Sequence, residues 1–323
     1  MSKLFMLLFA SAVILLSSCS QYDQVEIALI PKGTDIMYWK GLHAGGEKAA
    51  QELGLKLIWQ GPQKESDREQ QINIVQNFIS RGVDAIVLAP LDEVALMRPV
   101  ATAKRRNIPV VIVDSGLKGS DYASYIATDN FATGELAAQK LTEMLGGRGD
   151  VILVRFLEGS NSTGLREEGF ITWMRENASG ITILSSDQHT GATMELALQT
   201  GQNLLNKFPT VDGIFCPNEA TTFGLLRALQ TVGKAGKVKL VGFDYTDPIE
   251  EGLRSRDIAG VVVQDPFRMG YDGVKTAFAV LQGKSVDPII QTEVIFVTAE
   301  NIDDPAVVAV TKPDVATWLG ETP

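Results

Sequence analysis

Short runs of Val, Ile, Leu and Ala alternate with longer segments of helical period along almost the whole chain. The runs fall at residues 25–30, 85–89, 110–114, 123–129, 151–156, 182–184, 213–216, 238–243 and 260–264. Between them, segments 38–53, 67–80, 94–106, 131–145, 164–177, 194–207, 222–232, 249–254 and 267–281 carry the apolar spacing of helices. A strand that is apolar at every position has no face for water, so its sheet must be covered on both sides. Strand and helix in alternation then require parallel strands with helical crossovers. The rhythm restarts near residues 123–129, and 323 residues exceed one ordinary core of about 100–200. The expected fold is α/β, with two doubly wound parallel-sheet lobes and a cleft between them. In open α/β sheets, ligands bind beyond the carboxyl ends of the strands.

The N-terminus supplies an address. Lys3 precedes the apolar run Leu4 to Leu16, and Ser17 and Ser18 follow as small residues. These are the n-region, h-region and cleavage-site residues of a secretory signal. The run is short for a membrane span of about 20 residues. Leu16-Ser17-Ser18-Cys19 resembles a bacterial lipobox, which implies removal of residues 1–18 and diacylation of Cys19. Residues 19–24 would then be a lipid-anchored tether, and the work of the chain would be done outside the cytoplasm. With Cys19 lipidated, Cys216 has no disulfide partner. A net charge of −10 argues against nucleic acid or an anionic membrane surface as partner. The two His, His43 and His189, stand in no metal-ligand spacing, so no metal or cofactor is expected.

The residues just past the strands are of one chemical kind. Lys32 follows the first strand, with Tyr38 and Trp39 soon after. Asp114, Asn218, Asp244 and Gln264 end or follow later strands, and Arg166 lies early in a helix. If the strand ends converge, these groups offer acceptors, donors and two aromatic plates. A sugar, with hydroxyls that donate and accept and an apolar ring face, calls for such a set. Each residue also has a plainer role open to it. The aspartates can cap loops, Arg166 can sit on a helix surface, Asn218 can cap the next helix, Gln264 can be a turn residue, and the aromatics can be core.

From residue 25 to 297 the chain resembles periplasmic substrate-binding proteins of the ribose-binding type, type I, from ABC sugar transporters. The resemblance is carried by Gly45-Gly46-Glu47-Lys48-Ala49-Ala50, Asp84 to Pro90, and Asn107 to Asp114. Ile126-Ala127-Thr128-Asp129-Asn130, Arg166-Glu167-Glu168-Gly169-Phe170 and Asn218-Glu219 continue it, as do Leu225 to Gln230, Val241-Gly242-Phe243-Asp244 and Gln264-Asp265-Pro266. It implies that Asp114, Arg166, Asn218, Asp244 and Gln264 hydrogen-bond a sugar, and that Tyr38 and Trp39 line its ring faces. It also implies three crossovers, near 128–129, 264–265 and 290–292, about which the lobes close on ligand. The lobes are then residues 25–128 with 265–290, and 129–264 with 291–323, the end of the latter a surface-wrapping extension. An ABC permease is the implied partner of a monomeric, non-enzymatic receptor. A sensor kinase or chemoreceptor would use the same clamp.

The chain departs from the ribose pattern at four places. Ser115 stands where that group has Arg, Lys32 where it has a small polar residue, and Tyr245 is bulkier than usual; the loop 187–192 lacks a stacking aromatic. The pocket is therefore expected to be reshaped. A nucleotide-dependent enzyme is the competing class, but Pro31-Lys32-Gly33-Thr34-Asp35 matches neither glycine-rich phosphate loop. A repressor of related fold would need a DNA-binding helix pair where the signal stands.

Overall fold

The structure, a computed structural model, describes residues 24–321. The expected signal peptide, the expected lipidation site Cys19 and most of the expected tether lie outside the described residues.

Two six-stranded sheets account for the strands. The first contains β1 (Glu26–Ile30), β2 (Lys56–Trp59), β3 (Ala85–Leu88), β4 (Val110–Val113), β5 (Ser124–Ala127) and β11 (Ile289–Gln291), in the order β11-β5-β4-β3-β1-β2. The second contains β6 (Gly149–Leu153), β7 (Ile181–Ser185), β8 (Gly213–Phe215), β9 (Lys239–Phe243), β10 (Gly260–Gln264) and β12 (Val294–Val297), in the order β12-β10-β9-β8-β6-β7. The two orders are the same, strand for strand, so β4 of the first lobe corresponds to β9 of the second.

Cover on both faces explains why the central strands are apolar along most of their length. Ile27 and Leu29 point to one face of the first sheet, under α1 (Met37–Leu53) and α9 (Pro266–Leu281). Ala28 and Ile30 point to the other, under α2 (Arg68–Arg81) and α3 (Met97–Arg105). The second sheet is covered likewise, by α4 (Asn130–Met144) and α5 (Asn161–Asn177) on one face. On its other face lie α6 (Met194–Lys207), α7 (Glu219–Thr231) and α8 (Asp247–Arg254).

Glycine sets how closely one helix pair in each lobe can approach. A Cβ on Gly45 would come within 1.8 Å of the Phe267 carbonyl oxygen, joining α1 to α9. A Cβ on Gly134 would come within 2.0 Å of the Arg166 carbonyl oxygen, joining α4 to α5. The second contact fixes the backbone of Arg166 against the start of α4.

Three strands were not read from the sequence: β2, β11 and β12. All three are edge strands, and β12 runs antiparallel to β10. The extension carries two short helices, α10 (Pro305–Thr311) and α11 (Val315–Leu319). Val307 of α10 is buried in the core of the second lobe. The helix α11, however, packs against α1 of the first lobe. The assignment of all of 291–323 to the second lobe is corrected on this point: the chain crosses back once more, and α11 rests on α1 with the Trp318 ring beside Lys48.

Candidate functional site

The carboxyl ends of the parallel strands in both sheets face the space between the lobes. The loops that follow carry Lys32 after β1, Asp114 after β4, Asn218 after β8, Asp244 after β9 and Gln264 at the end of β10. Tyr38 and Trp39 lie in the first turn of α1, and Arg166 in the second turn of α5. All eight line one narrow cavity of about 20 Å³, together with Ile36, Glu65, Ser162, Thr163 and Glu219.

Asp114 and Asp244 occupy equivalent places and share a backbone conformation. Their φ angles are 63° and 68°. This left-handed region disfavours side chains other than Asn and Asp, and it recurs at functional sites. Here it turns both carboxylates off their strand ends into the cavity.

Arg166 is the centre of the second lobe's network. It is 2% exposed. Its Nε donates to Asn130 Oδ1 (2.8 Å), one terminal nitrogen to the Pro217 carbonyl (2.9 Å) and the other to Gln264 Oε1 (2.9 Å). The guanidinium lies 3.8 Å from the centre of the Phe243 ring, a desolvated cation–π contact. Gln264 Nε2 in turn donates to Asp244 Oδ1 at 2.8 Å, and the backbone N–H of Glu219 donates to Asp244 Oδ2 at 3.0 Å. Burial pushes the Asp244 carboxyl upward, against the pull of Arg166.

In the first lobe Tyr38 donates its hydroxyl to Asp114 Oδ1 at 2.8 Å, and Trp39 its indole N–H to Glu65 Oε1 at 2.8 Å. The two rings meet edge to face, with centroids 4.9 Å apart. Both aromatics thus serve the core and the cavity wall at once. Lys32 Nζ lies 2.9 Å from Asp114 Oδ2. The approach is that of a buried ion pair, which compensates the Asp114 charge inside the first lobe. Asn218 caps α7 in a capping box with Thr221 through its Oδ1. Its Nδ2 donates to no protein group among the described residues, so capping and cavity roles coexist in one side chain.

The lobes touch directly along one lip of the cleft. Glu93 N–H donates to the Gly159 carbonyl (3.0 Å), Gly116 N–H to Asn161 Oδ1 (3.1 Å) and Ser162 N–H to Ser115 Oγ (3.1 Å). Lys32 Nζ also donates to Ser162 Oγ at 2.9 Å, and Tyr38 N–H to Glu219 Oε2 at 3.4 Å. The arrangement is closed. Ser115 is small enough to let the first turn of α5 dock against the loop after β4, which gives that departure from the ribose pattern a physical role. His189 lies away from the cavity, beside Arg155.

Sequence reasoning missed Glu65 and Glu219. Burial raises the Glu65 carboxyl to about 7, opposed first by Lys32. Burial raises Glu219 to about 8, with repulsion from Asp244 adding to it. Glu219 stood next to Asn218 in a matched segment, and that adjacency was the one available signal.

The profile of the family described as "Periplasmic binding protein domain" matches residues 27–285. The ribose import binding protein of Haemophilus influenzae is 31% identical over 293 residues, covering 91% of this chain and 98% of that protein. A carbohydrate transporter solute binding protein from Agrobacterium radiobacter, solved with D-arabinose, superposes with a TM-score of 0.87 at 33% identity, covering 90% of this chain and 99% of that one. An ABC transporter solute binding protein from Agrobacterium vitis with bound D-fucose gives 0.85 at 35% identity, covering 88% and 99%.

Proposed function

The chain belongs to the periplasmic binding protein family, and from that membership we propose that it captures a monosaccharide or similar polyol between its lobes and presents the closed form to an ABC permease. One observation carries the reading: a cavity between the lobes whose walls bring together Lys32, Tyr38, Trp39, Asp114, Arg166, Asn218, Asp244 and Gln264. Asn218 Nδ2 has no acceptor among the described residues, and the Asp114 and Asp244 carboxylates border the same space as acceptors. A sugar hydroxyl can meet both kinds of group, since it donates through hydrogen and accepts through oxygen. An apolar ligand would leave the Asn218 donor unsatisfied, at about 1–3 kcal/mol.

The ligands of these relatives define a panel: D-ribose, D-allose, D-arabinose, D-fucose, D-tagatose and xylitol. A binding sugar at a hundredfold excess over Kd should stabilise the chain by about 2.7 kcal/mol, visible as a rise in melting temperature. If no panel member shifts the melting curve or gives heat by titration calorimetry, the sugar reading is wrong.

Family membership implies an extracytoplasmic location. The reading extends to a lipid anchor at Cys19, supported by Leu16-Ser17-Ser18-Cys19. Cys19→Ala should move the chain out of the detergent-extracted membrane fraction or leave an unprocessed precursor. A wild-type chain recovered without lipid from the soluble fraction would refute the anchor.

A further inference from the structure

The extension beyond the matched family segment binds both lobes. Its first part is fastened to the second lobe. Val307 is 5% exposed within that core, Lys312 pairs with Glu250 at 2.9 Å and Arg254 with Asp303 at 2.7 Å. Its last part is fastened to the first lobe. There α11 lies on α1, Lys48 Nζ sits 5.5 Å from the Trp318 ring centre, and Lys40 pairs with Glu321 at 3.5 Å. Between the anchors run only Lys312, Pro313 and Asp314. Asp314 is held as the cap of α11, accepting from Thr317 N–H at 3.2 Å. Three residues span at most roughly 11 Å when extended, and Pro313 fixes part of that path. A second cavity lies under this segment. It is lined by Met37, Lys40 and Gly41 of the first lobe, by Tyr245 and Pro248 of the second, and by Pro313 of the extension.

From this we propose that residues 312–321 form a strap tying the lobes in their closed arrangement, so that docking of α11 on α1 and closure of the cleft are one linked equilibrium. The two anchors are unequal. The helix α11 has five residues and none is fully buried, whereas α10 inserts Val307 into a core. A hinge rotation that lengthens the path between the anchors must therefore strip α11 from α1 and expose Trp318. The closed form gains whatever that contact is worth. The consequence for ligand affinity rests on the sugar-capture reading; the tie itself does not.

The test needs no ligand. Hydrogen exchange, read by mass spectrometry on the full chain in detergent, reports the lip amides of Glu93, Gly116 and Ser162, whose hydrogen bonds exist only when the lobes meet. One variant deletes residues 313–323. A second inserts about six Gly/Ser residues between Lys312 and Pro313, keeping both anchors but removing the length limit. Both should speed exchange at the lip amides by about five- to tenfold, with the β4 and β9 amides unchanged. Unchanged lip exchange in the deletion variant overturns the strap. So does an effect in the deletion variant but not in the lengthened one, which would mean packing on α1 without a tie. Equal acceleration in β4 and β9 overturns it too, as general loss of stability. Failure of the sugar panel, by contrast, would refute capture while leaving this readout in place.

Discussion

Arg166→Ala is expected to weaken sugar binding by about thirtyfold at the least, because truncating one partner of a buried, charged hydrogen-bond network costs about 2–5 kcal/mol. The cost has two origins. Guanidinium N–H groups left over from the three protein contacts are the donors available to a ligand hydroxyl. Those contacts also hold Gln264 Oε1 and Asn130 Oδ1 in place, and Gln264 in turn orients Asp244. Removing Arg166 therefore loosens two further cavity residues. Arg166→Lys should not rescue, since one ammonium cannot reach three acceptors in the planar geometry of a guanidinium. Titration calorimetry on a variant shown by circular dichroism to be folded checks this. A wild-type Kd in Arg166→Ala would remove the residue from the site.

Affinity is also expected to fall as pH rises, and Glu219 carries the effect. Its cover comes from the opposite lobe, where Tyr38 N–H meets its carboxyl, so opening the cleft hydrates it. The closed form holds its proton up to about pH 8, against an ordinary value of 4.5. A carboxyl raised in this way favours the closed form fully below about 4.5 and loses that contribution as pH rises, levelling off above about 8. Closure thus takes up a proton across this window. Between about pH 6 and pH 8.5 the Kd should rise at least about tenfold. Glu65, raised to about 7, adds to the slope only so far as opening hydrates it. Calorimetry in two buffers of different ionisation heat should reveal the proton uptake, and Glu219→Gln should flatten the profile. A pH-independent Kd with no proton uptake would refute the linkage.

The fold was legible because burial on both sheet faces leaves an unbroken apolar signature. The runs at β3 and β4 have no polar position to obscure them, and β1, β9 and β10 carry one only at an end. The edge strands carry no such signature: β2, Lys-Leu-Ile-Trp, is exposed to half-buried along its length, and β11 is three residues with its ends in solvent. The helices α10 and α11 are too short to show a period. The eight cavity-lining residues could be named because strand ends and a family resemblance pointed to them. Glu65 and Glu219 could not. Glu65 lies in a loop with no periodicity, and its place follows from the Trp39 indole. Glu219 meets the cavity only because Tyr38 arrives from the other lobe. The same holds for Ser115, whose contact with Ser162 exists only across the closed lip.

The left-handed backbone at Asp114 and Asp244 sets stability against recognition. Such a conformation costs a residue with a side chain roughly 1–3 kcal/mol where it is not relieved locally. Glycine would adopt it freely and would also spare the chain two buried carboxylates. Folding alone would thus favour a quieter pair of turns at the ends of β4 and β9. The chain instead keeps, at matching points of its two halves, the two turns that let a carboxylate face its counterpart across the gap. A ligand seated between them would be gripped from both sides by a repeated device, its two faces read by the same chemistry in opposed directions.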